Sequence, residues 1–362
     1  MKVQEAEQRL KEYLSKEEAK ASGGTVRPIK TLTLEEFDKN RETYAKAGRE
    51  AIQRGELGLL LLAGGMGTRL GFDGPKGTFP IEDDCSIFGC LFRNLHYTNL
   101  PFFVMTSDKN DEATREFFKE KDYFGYDPER IYFFRQEMAP ACDFEGHLLY
   151  EGEGVPATSP NGNGGFFSSL INAGLADRLE GVKYLNVFGV DNVLARIADE
   201  AFLGALITDQ KSAAVKAVMK TDPKENVGVV CLRDGHPSIV EYFELDEKQA
   251  AERGEDGQLL YGAGVTVNYL FDTSILLRTV NEPMPVHRVT KKIPYIDANG
   301  ELVKPTEPNG YKFEILITDI LRFFPDFLPV EVARDREFAP VKNLHGVDSV
   351  DTARELLKKN GY

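Results

Sequence analysis

The chain has 362 residues, 42% apolar and 28% charged, with a formal net charge of −14 and a pI near 5.0. This is ordinary globular composition, enough to bury a large core. Its acidity argues against non-specific binding to nucleic acid or anionic membranes, which requires a surface that attracts phosphate.

Residues 1–8 are charged and carry no apolar signal core, and no run approaches the roughly 18 apolar residues of a spanning helix. The four cysteines (Cys85, Cys90, Cys142 and Cys231) form no C-x-x-C pair. That argues against zinc and for free, buried thiols. The expected setting is the cytosol, with no nucleic-acid or membrane partner.

Residues 1–55 read as a helical extension. Val3, Leu10 and Leu14 form a loose amphipathic stripe, Gly23-Gly24 and Pro28 interrupt it, and Thr33 precedes Glu35 and Glu36 as an N-cap. At residues 57–63 the texture changes to a nearly continuous apolar run ending in glycines. Such a run suits a strand buried on both faces. Similar runs occupy 101–106 (PFFVMT), 131–134 and 184–190 (YLNVFGV), with helical stretches at 111–121 and 166–179 between them. This alternation predicts an α/β fold with a doubly wound, mixed but mainly parallel sheet. Ligands in such sheets sit at the carboxyl ends of the strands. From residue 227 the pattern turns antiparallel. A hairpin joins 227–232 to 238–245 through Asp234-Gly235, a strand covers 265–271, and a last helix covers 351–359. The predicted division is an extension at 1–55, a catalytic domain at 56–345 and a C-terminal helix at 346–362.

The most informative segment is LLLAGGMGTRLGFDGPKGTFP, residues 60–80. Gly64, Gly65 and Gly67 let backbone N–H groups approach a phosphate and permit positive φ. Thr68 adds a hydroxyl donor, Arg69 a planar fork and Lys76 a second cation behind the stiff Pro75. The dinucleotide fingerprint G-x-G-x-x-G fails, because Leu70 stands where the third glycine belongs. A P-loop fails too, since no glycine immediately precedes Lys76. These failures argue against a nicotinamide-dependent oxidoreductase.

L-x-x-G-G-x-G-T-R-L-G followed by P-K resembles the signature of the UDP-sugar pyrophosphorylases, most closely the eukaryotic-type UDP-N-acetylglucosamine enzymes. The resemblance runs from about Leu57 to the end. It continues through IYFFRQEMAPA (131–141), PNGNGGFF (160–167), VDN (190–192), VEYFE (240–244), PNGYKFE (308–314) and EFAPVKN (337–343). It implies the Rossmann-like fold of the nucleotide-diphospho-sugar transferases. It also implies a nucleotide site at Leu62, Ala63, Gly64, Gly65, Gly67, Thr68, Lys76, Gln136, Gly162, Asp191 and Lys312. Gln136 would face the uracil, its amide offering both a donor and an acceptor. Gly162 would let the base approach the backbone. Asn163, Glu241, Tyr242, Asn268 and Lys342 would take the sugar phosphate. Asp191, at a strand's carboxyl end, would hold Mg²⁺ together with substrate phosphates; otherwise it caps the next helix. Asn163 has a cap as its plainer reading as well.

One position departs from the pattern. Where the family has an asparagine after a glycine in the strand at 264–268, this chain has Val265, leaving Thr266 or Asn268 to read the sugar. The implied reaction joins UTP to a sugar 1-phosphate, with N-acetylglucosamine 1-phosphate first and glucose or N-acetylgalactosamine 1-phosphate as alternatives. A non-catalytic UDP-sugar-binding protein is the rival from another class. Arg69, Lys76 and Lys342 would be the catalytic cations, and a monomer is the expected state.

Overall fold

The computed structural model describes residues 1–15, 24–242, 244–297 and 299–362. Two sequence readings touch residues outside these, the break at Gly23-Gly24 and the far end of the run at 238–245. The chain divides into two compact units. One comprises Met1–Gly24, Gln136–Ser169 and Asn281–Ile320; the other comprises Thr25–Arg135, Leu170–Val280 and Leu321–Tyr362. The first 55 residues, expected as one extension, are shared between them.

The larger unit is built on a mixed ten-stranded sheet. Leu57–Leu62 lies at its centre, parallel to Tyr184–Gly189 on one side and to Phe102–Thr106 on the other, with Ile131–Arg135 beyond. All six residues of Leu57–Leu62 are buried. This explains the uninterrupted leucines, since a strand covered on both faces has no solvent side to alternate with. Beyond Tyr184–Gly189 the sheet becomes mostly antiparallel. Ala263–Asp272 pairs with it, and with Ala213–Met219 and Val229–Arg233. The hairpin read at Asp234-Gly235 joins Val229–Arg233 to His236–Val240. The parallel strands end together, and their following loops carry the glycine segment and Asp191.

Thr33 caps the helix Leu34–Lys39 in a full capping box with Glu36. The next helix, Arg41–Gln53, crosses Glu200–Thr208 at backbone contact. A Cβ on Gly204 would stand 1.7 Å from the Tyr44 carbonyl oxygen, and one on Gly48 would stand 1.9 Å from that of Glu200. Gly204→Ala is therefore expected to force the two helices apart. It should lower stability by about 1–3 kcal/mol, the usual scale of overpacking. An unchanged thermal midpoint would mean that the crossing is looser than this.

The stretch 166–179 is not one helix. Phe166–Asn172 is helical, Gly174 takes φ 75°, and Ala176–Leu179 continues as a 3₁₀ turn. In the smaller unit the helix Val3–Ser15 buries Ala6, Leu10 and Tyr13. Leu10 and Tyr13 share a core with Phe313, from the strand Gly310–Glu314. Among the described residues no helix is long and apolar enough to cross a membrane.

Candidate active site

The glycine segment leaves Leu62 with its early backbone groups engaged. Ala63 N donates to Met105 O (2.8 Å), while Leu62 O accepts from Val190 N and Ala63 O from the Asn110 amide. Leu62 and Ala63 thus support the loop. The next three N–H groups, of Gly64, Gly65 and Met66, donate to no group among the described residues. The chain then doubles back: Gly67 N donates to Gly74 O (2.8 Å) and Lys76 N to Gly65 O (3.1 Å). Three consecutive N–H groups without a partner among the described residues, at the end of a buried strand, are available to an anion. The loop's conformation differs in one respect from the expectation. Gly67 takes φ −80°, Gly64 and Gly65 are not among the glycines at positive φ, and the left-handed residue is Gly71 (φ 66°). Gly67 is needed for space, because a Cβ there would meet the Phe72 side chain at 2.8 Å.

The basic residues converge on the same place. Thr68 and Arg69 are exposed on a 3₁₀ turn, and no carboxylate among the described residues pairs with Arg69. The Lys76 side chain is 12% exposed, with Nζ 4.0 Å from Asp191 Oδ2. Burial pushes its ammonium pKa below the usual lysine value. Arg69 and Lys342 push the same way, and Asp191 opposes them. Lys342 reaches this neighbourhood because Val341 N donates to Asp191 O (2.8 Å). Its Nζ lies 2.9 Å from Asp348 Oδ2. Asp191 lies two residues past the end of Tyr184–Gly189 and keeps 28% of its side chain exposed. No group of three or more His, Cys, Asp and Glu among the described residues is placed to hold a metal by itself. A magnesium ion at Asp191 would therefore need substrate phosphates among its ligands, which is its usual mode.

Within the smaller unit, Gly162 lies on the loop 160–165 at φ 91°, and a Cβ there would stand 2.3 Å from Ile315 O. Only glycine fits both demands. Asn163 Oδ1 accepts from Ile317 N (3.0 Å), so its cap serves the segment after Gly310–Glu314 and not its own helix. Gln136 is 8% exposed, and its amide takes part in no hydrogen bond among the described residues. Lys312 is half-buried on Gly310–Glu314.

The residues expected to read the sugar fare unevenly. Glu241 follows the strand His236–Val240 and sits over Gly228, where a Cβ would stand 3.3 Å from its Oε1. Tyr242 is 42% exposed. Asn268 must be corrected. It is 2% exposed, its Oδ1 accepts from Asn186 Nδ2 (2.8 Å) and its Nδ2 donates to Arg196 O (3.1 Å). Both ends of its amide hold neighbouring chain together. Thr266 is no substitute, since it is buried with Oγ1 donating to Lys216 O (2.8 Å). Val265 is also buried, at 8%.

Sequence reading overlooked two asparagines. Asn110 bonds the glycine loop, and Asn192 bonds the segment that carries Lys342. Asn192 lay within a quoted motif, but Asn110 gave no signal beyond that of a helix cap.

The chain is similar to known proteins over most of its length. A family model described as UTP–glucose-1-phosphate uridylyltransferase matches residues 4–353. The human UDP-N-acetylhexosamine pyrophosphorylase-like protein 1 is 36% identical over 345 residues, covering 90% of this chain and 68% of that protein. The UDP-N-acetylglucosamine pyrophosphorylase of Saccharomyces cerevisiae is 35% identical over 368 residues, covering 95% and 77%. The crystal structure of a putative UDP-N-acetylglucosamine pyrophosphorylase from Entamoeba histolytica superposes with a TM-score of 0.83 at 30% identity, covering 92% of this chain and 88% of that one.

Proposed function

The chain belongs to the UTP–glucose-1-phosphate uridylyltransferase family, and from that premise we propose that it makes a UDP-sugar and pyrophosphate from UTP and a sugar 1-phosphate, with N-acetylglucosamine 1-phosphate as the sugar substrate. The observation that carries this reading is the meeting of three free loop N–H groups with Arg69, Lys76, Lys342 and one partly exposed carboxylate, Asp191. That set suits a crowded polyphosphate, and the reaction asks none of its members to act as nucleophile or general base. In-line phosphoryl transfer needs neither, because its catalysis is mostly positioning and charge stabilisation.

A phosphate oxygen of the sugar 1-phosphate attacks the α-phosphorus of UTP. The new P–O bond forms as the bond to the β-phosphate oxygen breaks, and pyrophosphate leaves with that electron pair. Arg69 and Lys76 stabilise charge on the nucleotide phosphates and the departing pyrophosphate. Lys342 holds the attacking phosphate, and Lys312 is the smaller unit's candidate phosphate ligand. In the smaller unit Gln136 and Gly162 are the uracil ligands and Asn163 a sugar ligand; in the larger unit Glu241 and Tyr242 are the sugar ligands. Asp191 would hold a magnesium ion, which when bound supplies charge neutralisation and orientation of the phosphates. The four cysteines, free and buried, suit the reducing cytosol in which we place the enzyme.

A second reading, glucose 1-phosphate, is favoured by one observation. Val265 presents no polar group, and Thr266 and Asn268 are engaged internally. Pyrophosphate release with UTP and Mg²⁺ separates the two when the two sugar phosphates are compared. The expected result is preference for the acetamido sugar, with turnover lost on chelation and lost in Asp191→Asn. Preference for glucose 1-phosphate would move the substrate to the second reading. Magnesium-independent turnover would remove Asp191 as a metal ligand. No release with any sugar phosphate would leave a binding protein.

A further inference from the structure

Asn110 and Asn192 occupy matching places in the larger unit. Asn110 stands at the N-cap position of the helix Asp111–Glu120, where an asparagine side chain normally bonds its own helix. Here it makes no such bond. Only 1% exposed, it turns back, and its Nδ2 donates to Ala63 O (2.9 Å) and Gly65 O (3.1 Å). Its Oδ1 accepts from Ser107 N (2.8 Å) and Ser107 Oγ (3.0 Å). Two carbonyls that flank the first free N–H groups are thereby fixed on the protein side. Gly65 O also accepts from Lys76 N, so one side chain aligns both the N–H row and the root of the lysine.

Asn192 is 3% exposed and follows Asp191 directly. Its Nδ2 donates to Glu337 O (2.8 Å), and its Oδ1 accepts from Ala339 N (2.8 Å) and Leu194 N (3.3 Å). Val193 N donates to Ala339 O (3.2 Å) and Val341 N to Asp191 O (2.8 Å). The segment bearing Lys342 is thus clasped to the end of the strand bearing Asp191.

We infer that Asn110 and Asn192 are positioning residues for opposite substrates: Asn110 sets the loop that receives the nucleotide phosphates, and Asn192 sets the lysine that receives the sugar phosphate. This rests on the transferase reading. Neither residue touches substrate, and each acts through the groups it holds.

The test is a double dissociation. Losing such a buried bonding group costs one to two powers of ten in an equilibrium constant. Asn110→Ala should raise KM for UTP by about tenfold or more and leave KM for the sugar phosphate within about twofold. Asn192→Ala should raise KM for the sugar phosphate by about tenfold or more and KM for UTP by clearly less, the smaller effect passing through the neighbouring Asp191. Milder variants, Ser107→Ala for the first clasp and Asn192→Ser for the second, should move the same constants less, and they remain usable should an alanine variant fold poorly. A residue of merely structural importance would lower the thermal midpoint and raise KM for both substrates together, and that outcome would overturn the inference. Calorimetric titration of UTP, which needs no turnover, separates the two levels. If the wild type releases no pyrophosphate, the transferase reading fails, while an unchanged UTP affinity in Asn110→Ala overturns the clasp.

Discussion

Lys76→Ala is expected to lower turnover by roughly 10²–10³, the scale on which one preorganised charge-stabilising donor acts. The argument starts from the backbone. Lys76 N is tied to Gly65 O, so the lysine cannot move independently of the N–H row, and its side chain is almost covered. A covered cation whose neighbours are Arg69 and Lys342, with one carboxylate at 4.0 Å, carries charge that the protein leaves under-compensated. An arriving polyphosphate completes that compensation, and more so as negative charge accumulates on the departing group. The same imbalance predicts the pH profile. Because burial and the two cations hold the ammonium below its ordinary value of 10.5, kcat/KM should fall on the alkaline side before that value is reached. The residual activity of Lys76→Ala should lack this limb. Lys76→Arg should not restore turnover, since a bulkier planar group cannot occupy the same covered space. Turnover of Lys76→Ala within about threefold of the wild type would remove this residue from the mechanism.

The parts of the fold legible from sequence were those written into local pattern. Leu57–Leu62 announces itself because burial on both faces demands unbroken apolar residues, and the glycines after it because close approach demands small ones. The Thr33 cap and the Asp234-Gly235 turn are read from three or four neighbouring residues. The failures share a cause, since each depends on a partner distant in sequence. Asn110 looks like any cap before two acidic residues. Its direction is decided by Ala63 and Gly65, some 45 positions away. Gly48 and Gly204 look like helix weaknesses until the two helices meet. Ala263–Asp272 is the exception, since there the cause is local. Val267 takes φ 54°, the register against Ala213–Met219 shifts there, and both faces are covered, so Val265, Thr266 and Asn268 are all buried. A β-branched residue in the left-handed region is rare and costs roughly 1–3 kcal/mol. Here it falls beside Gly189, two residues before Asp191, where a Cβ would meet Val267 at 3.3 Å.

Lys216→Met is expected to destabilise the protein by about 3–5 kcal/mol, because it leaves two buried carboxylates without their cation. Lys216 is 1% exposed, with Nζ 2.6 Å from Asp199 Oδ2 and 2.5 Å from Glu337 Oε2. Asp199 also caps the helix Glu200–Thr208. Burial, the largest single influence, pushes the Asp199 pKa up, but the Lys216 charge and hydrogen bond, with the Phe202 N–H and Arg196, together outweigh it and the pKa lies below the usual carboxylate value. Burial alone would push Lys216 down, but the two carboxylates hold it above the usual lysine value. The contribution of Asp199 is therefore present above the ordinary carboxylate pKa and lost as pH falls through its depressed one. That of Lys216 is present below the ordinary lysine pKa and lost only as pH rises past its raised one. The wild-type advantage over Lys216→Met should be full at neutral pH and shrink in acid, where the stranded carboxylates of the variant take up protons. Unfolding titrations at the two pH values measure this directly, and an advantage that persisted undiminished in acid would mean that lost packing, not lost charge, is responsible. Charge and shape can also be separated at neutral pH. Adding Asp199→Asn and Glu337→Gln to Lys216→Met removes the unpaired charges and should recover part of the loss. The cap of Glu200–Thr208 and the Asn192 bond to Glu337 O would both survive that change, so Lys342 should regain its place. Activity would then return with stability, through a network that touches no substrate.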